Sequence, residues 1–221
     1  MKYLVANWKM NKTDQEVRDF FAVSREALRL AKGVEIVFCP PFPLIPTVRS
    51  EVVGTPLKVG AQDLSSEEDG ARTGDVSGKQ IEGMADYVIV GHSERKKLFH
   101  ETSQEIAAKL VQARRHDLTP ILCFETPEEL KVVNDPTHLL LAYEPTFAIG
   151  SGHPDTPANA AAVAKSAREI LGHTVPVLYG GSVTADNVKE FLSQPEIDGA
   201  LVGSASLDPA GWVGLVHAAS T

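Results

Sequence analysis

Eight times along this chain a short, continuously apolar run is followed by a longer stretch whose apolar residues recur at helical spacing, and this repetition restricts the fold more than any other feature. The apolar runs are residues 3–7, 35–39, 58–61, 87–91, 119–124, 138–143, 175–179 and 199–202. The helical stretches are 14–31, 44–50, 78–84, 103–116, 127–133, 157–171, 185–192 and 209–217. Strands that are apolar throughout, rather than alternating, are buried on both faces, which implies a parallel sheet with helices as crossovers. Eight such units predict a closed (β/α)₈ barrel; a doubly wound open sheet has the same local pattern and stays open as the alternative.

At 221 residues and 43% hydrophobic content, the chain can bury one large core, and no linker or low-complexity segment divides it. A single domain over 1–221 is therefore expected. The net charge of -8 argues against a nucleic-acid or anionic-membrane partner, because phosphate backbones are held by clustered Lys and Arg. Cys39 and Cys123, each closing an apolar run, read as reduced packing residues of a cytoplasmic protein. The start, Met1 to Asn7, turns polar too soon for a signal peptide, and no apolar run approaches membrane-spanning length.

Barrel enzymes place their chemistry where strands end and loops begin. The run Leu139-Leu140-Leu141-Ala142-Tyr143 ends in Glu144, and Pro145-Thr146-Phe147-Ala148-Ile149-Gly150-Ser151-Gly152 follows at once. A proline, an apolar middle and paired glycines suit a lid that moves between two positions. Closing over Glu144 would desolvate it and raise its pKa, as a general base near neutral pH requires; the plain alternative is a strand-end acid capping a helix. The first strand ends in Asn7-Trp8-Lys9, an amide and a cation two residues apart and so on one side of an extended segment. The fourth ends in Gly91-His92-Ser93-Glu94-Arg95, where a helix-like turn would keep His92 neutral; a structural histidine is the plain alternative. Gly180-Gly181-Ser182 and Gly203-Ser204, after strands seven and eight, are turns whose main-chain amides can converge on an anion, although singly they mark ordinary tight turns.

Taken in order, Asn7-Trp8-Lys9-Met10-Asn11, Gly91-His92-Ser93-Glu94-Arg95, Tyr143-Glu144-Pro145, Ala148-Ile149-Gly150-Ser151-Gly152 and Tyr179-Gly180-Gly181-Ser182 closely resemble the triosephosphate isomerase family, from Val5 to Leu207. The resemblance implies an α/β single-domain (β/α)₈ TIM barrel that interconverts D-glyceraldehyde 3-phosphate and dihydroxyacetone phosphate through an enediolate, in glycolysis and gluconeogenesis. It implies Glu144 as base, His92 as neutral electrophile, Lys9 and Asn7 on the substrate oxygens and Glu94 organising Lys9. The phosphate site maps onto the amides of Gly150, Ser182, Gly203 and Ser204. It further implies no cofactor, no metal and a homodimer. In that dimer the long polar loop 62–75 inserts beside the neighbour's active site, bringing Thr73 near the partner's Asn7, Lys9 and His92 and pairing Asp75 with Arg95. Another phosphate-binding barrel enzyme, or an inactive binding protein on the same fold, is the alternative; neither explains why Asn7, Lys9, His92 and Glu144 are all present.

Three features depart from the family pattern. Phe147 stands where the lid usually has tryptophan, keeping apolar cover without an indole donor, and Ser204 replaces a glycine. Trp8 and Met10 read as packing residues, and the other six histidines match no catalytic position. The helix after strand five is shortened: Thr126-Pro127-Glu128-Glu129 starts it and Asn134-Asp135-Pro136 stops it after roughly 10 Å at 1.5 Å per residue. Outward side chains among Ile121, Leu122, Leu139, Leu140 and Leu141 would then be only partly covered, by Leu130 and Val133. That predicts either a second protein contact giving a higher oligomer, or neighbouring helices moved inward; smaller outward residues are the plain alternative.

Overall fold

A computed structural model describes residues 1–150, 152–172 and 174–220. Eight parallel strands follow one another in sequence order and close into a barrel, so the open-sheet alternative is excluded. They are β1 (Lys2–Asn7), β2 (Val34–Cys39), β3 (Lys58–Ala61), β4 (Tyr87–Val90), β5 (Thr119–Phe124), β6 (Leu140–Tyr143), β7 (Val177–Tyr179) and β8 (Gly199–Val202). The seam is β1 on β8, with Tyr3 opposite Gly199. Any side chain at Gly199 would run into the Tyr3 carbonyl, so glycine is required where the barrel closes.

The helices are α1 (Asp14–Arg29), α2 (Ile45–Val52), α3 (Gly78–Ile81), α4 (Ser93–Leu98), α5 (Ser103–Arg115), α6 (Pro157–Leu171), α7 (Val188–Leu192) and α8 (Pro209–Ala219). Capping boxes at Thr13/Glu16 and Thr102/Glu105 fix the starts of α1 and α5. Several elements are shorter than the sequence pattern predicts. His138 takes a left-handed backbone (φ 48°) and Pro176 lacks an N–H, so β6 and β7 begin at 140 and 177. Helix α7 starts at Val188 rather than Ala185, and α4 is a full helix where only a turn was expected.

Strand period two sorts the core into two layers. Val5, Val37, Ile89, Ile121, Leu140, Ala142, Leu178 and Leu201 fill the barrel with both cysteines. Both thiols are free and buried, and burial pushes each up in pKa. Between barrel and helices, Leu4, Ile36, Phe38, Val88, Leu122, Leu141 and Val177 meet the apolar helix faces. Trp8 packs there edge-on to Phe20 at 5.3 Å and tilted to Phe38 at 5.5 Å, and it is fully buried. Met10, three residues past the end of β1, is 94% exposed, so it does not pack against this chain's core as expected.

The quadrant after β5 corrects a further expectation. Pro127–Val132 forms a six-residue 3₁₀ helix instead of an α-helix. Ile121 and Leu140 point into the barrel, and the outward Leu122, Leu139 and Leu141 are all buried. Leu130 is fully buried beneath the 3₁₀ helix, which lies against both α5 and α6. Leu130 covers them together with Val132 and Val133, which pack against the same core, and with no wet apolar strand face the physical reason for a second protein contact here disappears.

Candidate active site

The polar ends of β1, β4, β6, β7 and β8 open into one cavity of about 660 Å³ at the C-terminal rim of the barrel. Asn7, Lys9, His92, Glu144, Gly150, Ser182, Gly203 and Ser204 all line it, and Glu94 reaches it through Lys9. Strand period explains the convergence: Asn7 continues the inward face of Val5, Glu144 that of Leu140 and Ala142, and Gly203 that of Leu201.

Lys9 has a left-handed backbone, φ 51°, which costs a non-glycine residue about 1–3 kcal/mol and persists only where its surroundings enforce it. Here they do. Its N–H donates to Asn7 Oδ1 at 3.1 Å and its carbonyl accepts from Gln62 Nε2 at 2.9 Å. Trp8 Nε1 donates to the Ser206 carbonyl at 3.2 Å, anchoring the same turn to the segment after β8. Lys9 Nζ then lies 2.6 Å from Glu94 Oε1.

His92 caps α4. Its Nδ1 accepts the Glu94 N–H at 3.2 Å, which leaves Nε2 as the ring nitrogen that faces the cavity. Nε2 lies 2.9 Å from Glu144 Oε1, and the Ser93 N–H donates to Glu144 Oε2 at 2.8 Å. Glu144 is 2% exposed. Burial pushes its pKa up, but the hydrogen bond and the charge of His92, with the hydrogen bonds from Ser93, outweigh that and hold it below the ordinary glutamate range. The raised pKa expected from the sequence is therefore not that of this conformation, because both carboxylate oxygens already accept hydrogen bonds.

The lid leaves β6 through Pro145 and ends at Gly150 and Gly152, both with positive φ (67° and 75°). Thr146 hydrogen bonds Glu125, and Ser182 Oγ donates to the Ala148 carbonyl at 2.6 Å, so the lid is tied to the turn after β7. Phe147, expected as apolar cover, is 65% exposed; Ile149 is the apolar lid residue that lines the cavity. Ser204 opens a 3₁₀ turn without a positive φ, so replacing glycine there costs no backbone strain. Gly181 must lack a side chain, since a Cβ would strike the Tyr179 hydroxyl folded beneath it.

Loop 62–75 is anchored by a buried ion cluster in which Lys109 contacts Asp63 at 2.7 Å and also Glu101. Within the chain Asp75 is held by Arg72 and Ser65, and Arg95 by Asp63 at 2.8 Å, so the expected Asp75–Arg95 pair does not form inside one protomer. His100, His138, His153 and His217 are exposed, and His116 is buried with Nδ1 2.7 Å from Glu82. Ser151 and His173 lie outside the described residues. Among the described residues no group of three or more His, Cys, Asp or Glu is placed to hold a metal, and no helix is long and apolar enough to cross a membrane.

Three contributors were missed. The Ser93 amide had a readable signal, since the first N–H groups of any helix lack helical partners and seek an acceptor. Gln62, which braces Lys9, and Asn187, whose Nδ2 donates to the Ser182 carbonyl at 3.0 Å, sit in no motif.

Comparison with known proteins matches residues 2–219 to the family model described as Triosephosphate isomerase. Similar chains named triosephosphate isomerase occur in Symbiobacterium thermophilum (40% identical, covering 98% of this chain and 96% of the relative) and Synechococcus sp. strain JA-3-3Ab (41%, 97% and 93%). A third is from Halorhodospira halophila (40%, 99% and 98%). The Symbiobacterium alignment runs over 248 positions against 221 residues here, so this chain is shortened internally.

Proposed function

The chain belongs to the triosephosphate isomerase family and isomerises triose phosphates in glycolysis and gluconeogenesis, interconverting D-glyceraldehyde 3-phosphate and dihydroxyacetone phosphate; from that premise we propose that Glu144 is the base, with His92, Lys9 and Asn7 stabilising the enediolate. The observation that carries this assignment is the convergence of those four side chains in one cavity that Gly150, Ser182, Gly203 and Ser204 also line.

Glu144 removes a proton from the carbon beside the carbonyl and returns it to the neighbouring carbon. To do so its carboxylate leaves the Ser93 N–H and the His92 Nε2–H. That single move has two effects: the carboxylate loses the hydrogen bonds that depress its pKa, and the Nε2–H becomes free for a substrate oxygen. Lys9 supplies the positive charge for the oxyanion, with Glu94 setting its position. Asn7, whose Oδ1 is occupied by the Lys9 N–H, offers its Nδ2 donors. Gly150, Ser182, Gly203 and Ser204 hold the phosphate, and the lid excludes water while the proton moves. A glutamate base, a neutral histidine and a closing loop are the known scheme of triosephosphate isomerases, carried over to this chain rather than deduced from it. Isomerase activity in a coupled assay with glyceraldehyde 3-phosphate, lost in Glu144→Gln, tests the assignment; near-normal activity in that variant refutes it.

The protein acts as one barrel domain, in the cytoplasm and as a homodimer. Support for the dimer comes from Met10, Leu98 and Phe99, which are 94%, 65% and 66% exposed, and from a recess of about 440 Å³ shared by Phe99 and Thr73 on the long loop. Light scattering giving a fully active monomer overturns it.

A further inference from the structure

We propose that the Asp155 carboxylate is a positioning group for the isomerisation, fixing the far end of the lid to the strand that carries Glu144. Tyr143, the residue before Glu144, donates its hydroxyl to Asp155 Oδ2 at 3.1 Å. Tyr179, the residue before Gly180-Gly181-Ser182, accepts the Asp155 main-chain N–H at 2.8 Å through its own hydroxyl. Both rings are buried, at 5% and 0% exposure, and buried hydroxyls are costly without partners. Asp155 thus serves two tyrosines on adjacent strands, which are themselves linked by the Gly180 N–H donating to the Tyr143 carbonyl at 2.7 Å. Tyr179 is locked in turn by stacking on Phe191 at 3.9 Å, and its hydroxyl lies under Gly181.

Helix capping does not account for the carboxylate. Asp155 Oδ1 accepts the Thr156 N–H and Oδ2 accepts Asn159 Nδ2, both at 2.7 Å, yet the cap of α6 is already made by Thr156 Oγ1, which accepts the Asn159 N–H at 3.1 Å. What Asp155 adds beyond the cap is its hold on Tyr143. Release of that hold loosens the end of the lid relative to the strand that carries Glu144, while the main-chain bond to Tyr179 stays. The chemistry sensitive to such loosening is elimination. The enediolate electron pair shifts to form a carbon–carbon double bond to C3 as the C3–oxygen bond breaks, inorganic phosphate leaves, and the remaining enol tautomerises to 2-oxopropanal.

The inference rests on the active-site assignment above, and its test separates the two. The full chain carrying Asp155→Ala, Tyr143→Phe or both is assayed for isomerisation kinetics, for inorganic phosphate released per isomerisation, and for melting temperature. Each single variant is expected to raise phosphate release per turnover roughly tenfold and to raise KM, and the double variant to add nothing to Asp155→Ala, because the Tyr143–Asp155 hydrogen bond is absent from all three. Should Asp155→Ala fail to fold, Tyr143→Phe, which removes only this hydrogen bond, carries the test by itself. A lower melting temperature with unchanged phosphate release overturns the proposal in favour of a capping role, as does a double variant whose effect is the product of the singles. Glu144→Gln, assayed in parallel, reports on the base alone.

Discussion

His92 Nε2 lies 2.9 Å from Glu144 Oε1, so the electrophile and the base of the proposed reaction are bonded to one another in this conformation. The Ser93 amide completes the arrangement from the first turn of α4, and the carboxylate is parked where it can do no chemistry until it moves. The same contacts that make Glu144 tolerable in a buried site are those that catalysis must exchange.

Replacing Glu144 with Gln is expected to lower kcat/KM about a thousandfold or more, since proton abstraction loses its acceptor. Glutamine has one carbonyl oxygen for two donors, His92 and Ser93, so one donor would face an amide NH₂. A stability loss of about 1–3 kcal/mol should accompany the loss of activity, measurable by denaturant unfolding, with phosphate binding retained.

That stability loss should depend on pH in a defined direction. The folded pKa of Glu144 is depressed below its ordinary 4.5, so its contribution is fully present above 4.5 and disappears as pH falls through the folded value. Wild type and Glu144→Gln should differ most near neutrality and converge in acid. Parallel stability curves down to pH 3 would contradict the depressed pKa.

Lys9→Met should reduce kcat by about a hundredfold to a thousandfold, because the oxyanion loses its cation. The ion pair it breaks is part-exposed, at 30% and 45% side-chain accessibility, so little stability depends on it. Unchanged melting with lost turnover is the expected pair of results.

Leu130→Ala removes the side chain that seals the shortened quadrant between α5 and α6. A cost of about 2–5 kcal/mol is expected, with a fall in melting temperature of about 2–4 °C per kcal/mol for a chain of this size. A shift under 2 °C would mean the 3₁₀ helix does not carry the seal.

Gly181→Ala should weaken substrate binding without touching the base, since the new Cβ must displace the Tyr179 hydroxyl and with it the turn. KM for glyceraldehyde 3-phosphate should rise while Glu144 remains in place, which steady-state kinetics resolves.

The strand and helix alternation was legible in the sequence because buried parallel strands must be apolar throughout, and Glu144, His92, Asn7 and Lys9 were legible because polar residues interrupt those runs at their ends. Local pattern carries that much. It does not carry which strand residues face inward once a strand starts late, and so the left-handed His138 and Pro176, which delay β6 and β7, were not anticipated as strand breaks. Nor does it carry contacts between residues far apart in the chain. How completely Leu130 closes the quadrant, Gln62 bracing Lys9, and His92 with the Ser93 amide reversing the pKa direction of Glu144 all depend on which side chains the closed barrel brings within about 3–4 Å. Sequence spacing fixes what a residue can reach along its own element, while hydrogen bonding and desolvation are set by neighbours that only the closed barrel supplies.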